Sequence, residues 1–115
     1  MNYQNIKTFE DALAATGETF NLPDGLSADT IAYEKLKIVA KALNEGWTPD
    51  WTNSKERKYT VVLYNYQPGG VGFVDSGCDY WNSVTYCGSR LCYPSAEIAM
   101  YAGKQFRDLY NQFFN

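Results

Sequence analysis

The sequence predicts a single α+β domain over residues 1–115, a three-stranded antiparallel sheet packed by two longer helices, with a short N-terminal helix. Three observations predict it. Apolar residues recur at helical spacing from Ala32 to Leu43 and again from Ile98 to Phe113. Between them "RKYTVVLYNY" is dense in β-branched and aromatic residues, the composition of a strand. No internal repeat, low-complexity tract or second apolar unit interrupts the chain, and 115 residues suffice to bury one real core.

The elements follow in order. "TFEDALAATG" opens with Thr8 as an N-cap, carries Asp11 three residues on, and stops at Gly17. Phe9, Leu13 and either Thr16 or Ala12 mark its inner face. "FNLPDGLS" is a loop around Pro23 and the Asp24-Gly25 turn signal. Ser27 then caps a helix whose apolar face runs Ala32, Leu36, Val39, Ala40 and Leu43, with Gly46 as its stop.

"WTPDW" turns the corner from that helix into the first strand. Pro49 holds the residue before it extended, so the corner is rigid. Trp47 reads as a buried clasp and Trp51 as partly exposed; truncating a buried ring of that size would cost roughly 3–5 kcal/mol. The first strand runs from Tyr59 to Tyr66, "QPGG" turns, and "VGFVD" returns as the second strand. "SGCDYWNSVTY" reads as irregular, and "GSRLCYP" as a short third strand. Ser95 caps one final helix with the stripe Ile98, Ala102, Phe106, Leu109 and Phe113. Trp47, Tyr59, Phe73, Phe106 and Phe113 are the expected core aromatics.

Composition excludes several classes. No apolar run approaches the roughly 18 residues of a membrane span, and "MNYQNIKTFED" has neither the basic start nor the apolar stretch of a secretory signal. The expected compartment is the cytoplasm, without a membrane partner. The chain has no histidine and three scattered cysteines, Cys78, Cys87 and Cys92, so the common zinc spacings are missing and free thiols are expected. Without His, a Ser or Cys nucleophile would need Lys or a carboxylate as base, and no spacing supplies one. Asp75 and Asp79 could be drawn as a glycosidase pair, but acids in a Gly-Ser-rich connection are ordinary turn formers. "QPGGVG" lacks the Gly-Lys-Ser/Thr of a phosphate loop. The expectation is no enzyme, no cofactor and no metal.

Charge is uneven within a net −3. Residues 1–34 carry six acids against Lys7, whereas residues 35–58 carry Lys35, Lys37, Lys41, Lys55, Arg57 and Lys58 against three acids. A cationic segment beside tryptophans admits a single-stranded nucleic-acid reading, with Lys37, Lys41, Lys55, Arg57 and Lys58 on phosphates and Trp51 as a stacking platform. A solvated outer face of the second helix is the favoured explanation of its three lysines.

The motifs Trp47-x-Pro49-Asp50-Trp51, Lys58-Tyr59, Gly88-Ser89-x-Leu91-Cys92 and Tyr101-Ala102-Gly103-Lys104-Gln105-Phe106 span nearly the whole chain. In these the sequence resembles a family of small proteins of phages and prophages of gut Bacteroidales. The resemblance implies a mobile-element context in a host cytoplasm and lends no activity of its own. With no catalytic equipment in the residues, the expected function is a non-enzymatic binding protein acting on a host protein, for instance an inhibitor of host defence or regulation. The alternatives are the single-stranded nucleic-acid binder and a minor virion or assembly component. Tyr80, Trp81 and Tyr86, with Trp51, are the expected partner-binding residues, because Tyr and Trp on a Gly-Ser segment resemble interface anchors.

Overall fold

The computed structural model describes residues 2–50, 52–53, 55–64, 75–81 and 91–114, and of residues 62–64, 75–81 and 114 the backbone. A 3₁₀ turn at Tyr3–Asn5 precedes α1 (Phe9–Thr16) and α2 (Ala28–Asn44). Then come β1 (Lys58–Tyr64), β2 (Asp75–Trp81), β3 (Cys92–Tyr93), α3 (Ala96–Gln105) and α4 (Arg107–Phe114). The α+β class holds.

Local chemistry explains the helix ends. The Thr8 hydroxyl accepts from the Asp11 amide at 3.1 Å, while the Asp11 carboxylate accepts from the Thr8 amide at 3.2 Å, a closed capping box. Gly17 closes α1 in the left-handed region at φ 70°. Ser27 stands at the N-cap of α2, yet its hydroxyl pairs with that of Thr30 at 2.9 Å instead of a backbone amide. The helix ends through two successive left-handed residues, Glu45 at φ 49° and Gly46 at φ 91°. Ser95 caps α3 by accepting from the Ile98 amide at 3.2 Å.

The predicted inner face of α2 is buried at every position, Ala32, Leu36, Val39, Ala40 and Leu43. At 3.6 residues per turn these form one stripe, and each fully buried Leu or Val adds roughly 1.5–3 kcal/mol. This stripe packs on α1 and α4, while α3 lies across β1 and β2. Ile6, Val61, Leu91, Tyr93, Ala99 and Phe106 complete the core.

Four expectations are corrected. The final helix is two, since Phe106 at φ −111° and ψ 33° interrupts it. Its buried line runs Ala99, Ala102, Gly103, Phe106 and Tyr110, leaving Ile98, Leu109 and Phe113 half-buried. Second, the segment read as irregular contains strand β2, whose seven residues pair antiparallel with β1 from Lys58↔Trp81 to Tyr64↔Asp75. Cross-strand pairing overrides the weak β-propensity of Gly and Asp there. Third, the sheet is less than three full strands. It is one seven-residue ladder, to which Cys92 and Tyr93 add the pairs Thr60↔Cys92 and Tyr59↔Tyr93 on the other edge of β1. Fourth, Trp47 is half-buried, not core, so the cost of losing a fully buried ring does not apply to it. Among the described residues the buried aromatics are Tyr93, Phe106 and Tyr110, while Tyr59 and Phe113 pack against the core from a half-buried position. Phe73 and the rest of "VGFV", the "QPGG" turn, Cys87 and Gly88-Ser89 lie outside the described residues.

Candidate interaction surface

The corner between α2 and β1 has a different fastening from the one its tryptophans imply. The Trp47 amide donates to Asn44 O at 3.0 Å, which finishes the helix. Beyond it, Asp50 organises the turn: its carboxylate accepts from the Thr52 amide at 3.0 Å and the Thr52 hydroxyl at 2.6 Å. Those bonds hold the Asp50 carboxyl below the usual carboxylate range. The pin of the corner is Lys58. Its side chain is wholly enclosed, and its ammonium donates to Asn53 O at 2.9 Å and Glu56 O at 3.1 Å, with Glu56 Oε1 at 3.5 Å.

Lys58 also begins β1, directly opposite Trp81 at the end of β2. The next pair is Tyr59↔Tyr80, and Tyr59 pairs on its other side with Tyr93, so one row of tyrosines crosses the sheet. The loop and the Tyr80-Trp81 end of β2 thus meet at one corner of the sheet. In the strand order β2-β1-β3, β2 is an outer strand among the described residues. Tyr86 and Trp51 lie outside the described residues. Asp75 and Asp79 stand opposite Tyr64 and Thr60 on the same strand.

The five cations of the nucleic-acid reading are distributed differently. Lys37 pairs with Glu34 at 2.8 Å and lies 5.0 Å from the centre of the Tyr33 ring. Lys41 pairs with Glu18 across the α1–α2 connection. These two ion pairs line an open groove of about 330 Å³ over Phe20, Leu22 and Ile38. Lys55 and Arg57 are exposed on the loop. Lys58 is the correction: its ammonium is spent on loop carbonyls, and it could not meet a phosphate without leaving them.

Behind the corner lies a buried polar seam that sequence reasoning missed. Asn44 Nδ2 donates to Cys92 O at 2.8 Å, joining the end of α2 to β3. The Asn44 Oδ1 atom is buried without a hydrogen-bond partner. Burial pushes the Cys92 thiol up to about 11, so little of it is thiolate at neutral pH. The Tyr93 and Tyr110 hydroxyls meet at 2.8 Å, and burial raises both well above the ordinary tyrosine value. No sequence signal marks Lys58, since a Lys before a strand is normally solvated.

Motif residues of α3 hold the N-terminal segment and fill the core. Tyr101 donates to Ile6 O at 2.7 Å, and Gln105 Nε2 to Lys7 O at 2.8 Å, so α3 latches the N-terminal segment. Ala102, Gly103 and Phe106 are buried. Among the described residues no group of three His, Cys, Asp or Glu could hold a metal, and no helix is long and apolar enough to cross a membrane. The fold and corner define a small α+β domain whose outermost strand among the described residues ends in aromatics. Comparison with family models, curated proteins and solved structures yields no match to this chain.

Proposed function

We propose that the chain is a non-enzymatic binding protein of a phage or prophage, acting on a host protein, with inhibition of a host defence or regulatory machine as the concrete form. The observation that carries it is the position of Tyr80 and Trp81 at the end of a strand that is outermost among the described residues, beside the Lys58 corner. Outer strands offer backbone groups to a partner, and Tyr and Trp are the residues that anchor interfaces. The family resemblance supplies the phage and host context.

Copurification from infected host cells tests the reading, using tagged wild type and Trp81→Ala, with and without nuclease. The expected result is a stoichiometric host polypeptide that survives nuclease and binds the variant about 30-fold more weakly, the equivalent of about 2 kcal/mol. Recovery of nucleic acid with steeply salt-dependent binding, or of the chain in purified virions, would replace it with one of the two alternatives.

A further inference from the structure

The Lys58 corner shows a mismatch between energetics and composition. A fully enclosed ammonium is expensive, and a well-packed apolar side chain of similar length commonly serves stability as well or better. Of the described residues around it, Thr52, Asn53, Lys55 and Arg57 are polar and exposed. What the loop has is oxygen. Asn53 O, Glu56 O and Glu56 Oε1 converge on the Lys58 Nζ atom at 2.9, 3.1 and 3.5 Å.

A second layer of bonds aims those oxygens. Glu56 Oε1 also accepts from the Asp50 amide at 2.8 Å. The Asn53 amide donates to Asp50 O at 3.2 Å, the Glu56 amide to Asn53 O at 3.3 Å, and the Lys55 amide to Asn53 Oδ1 at 3.0 Å. Two backbone carbonyls and a carboxylate, oriented by their own short-range hydrogen bonds around one positive centre, are oxygens of the kind that hold a cation.

We propose that Asn53 and Glu56 form a cation cradle whose occupant is the chain's own Lys58 ammonium. Lys58 is a tethered ion that fixes the loop's shape, and its charge, not its hydrocarbon stem, performs that task. The same oxygens would accept a free alkylammonium once the tether is cut. This holds whatever partner the corner meets.

The test compares Lys58→Met, which keeps a long apolar stem, with Lys58→Ala, which opens a cavity. The readouts are the thermal midpoint and amide exchange at residues 50, 52, 53, 55 and 56. Lys58→Met is expected to stay folded while those loop amides lose at least tenfold of their protection, with α2 unchanged. Lys58→Ala is expected to lose the same protection and regain it in n-propylammonium chloride, but not in tetramethylammonium chloride at equal ionic strength, which has no N–H to donate. Retained protection in Lys58→Met would overturn the proposal, as would equal rescue by both salts. Global unfolding of Lys58→Met would overturn it too, since the ammonium would then be holding the whole fold. In wild type, native-state acetylation with a succinimidyl ester should modify Lys55 and spare Lys58; equal labelling of the two would show that the ammonium is not held.

Discussion

The hydroxyls of Tyr93 and Tyr110 lie 2.8 Å apart with both side chains fully buried, joining β3 to α4 across 17 residues of sequence. Their hydrogen bond offsets part of the cost of leaving water. An unpaired hydroxyl in that position would cost the desolvation of a polar group with nothing in return.

The first prediction concerns this pair. Tyr93→Phe should destabilise the protein by about 1–2 kcal/mol, because it removes a fully buried hydrogen bond. Adding Tyr110→Phe should cost little more, since both polar groups are then gone. Urea denaturation of the two single variants and the double variant gives the coupling energy. Strict additivity would show that the hydroxyls do not depend on each other.

Alkaline stability follows from the same seam. Cys92 has its pKa raised from 9.0 to about 11, and Tyr93 and Tyr110 are raised above 10.0, all chiefly by burial. For a group whose folded pKa is raised, the unfolded chain loses its proton first, so it binds fewer protons and stability falls as pH rises. The contribution of Cys92 is present in full below pH 9.0 and is lost as pH climbs to about 11; that of the tyrosines begins to go above pH 10.0. Thermal midpoints should fall steadily above pH 9, and Cys92→Ala should flatten the early part of that fall. A flat profile from pH 8 to 11 in wild type would contradict the buried placement of these groups.

Gly46 gives a conformational prediction free of packing effects. Its φ of 91° is strained for any L side chain, and a Cβ built there meets nothing within 4 Å. Gly46→Ala should therefore cost about 1–2 kcal/mol from the backbone alone, and Gly46→Asn less, because Asn tolerates left-handed conformations. Equal losses for the two variants would point to a cause other than the backbone angle.

Local chemistry was legible in the sequence wherever the signal is itself local. The Thr8 and Asp11 box, the Ser95 cap and the α2 stripe from Ala32 to Leu43 depend on neighbours within a few turns, and all stand where the residues put them. β1 was legible because its β-branched and aromatic content suits a strand in any packing. Tertiary structure alone decided the rest. β2 is a strand because β1 lies beside it, although "DSGCDYW" has poor propensity of its own. The break at Phe106 is equally invisible in the sequence, since the buried residues on both sides of it keep helical spacing. Lys58 is enclosed because a loop folds its oxygens onto it. A charged residue's burial depends on partners elsewhere in the chain, and a one-dimensional pattern of polar and apolar residues carries no record of them.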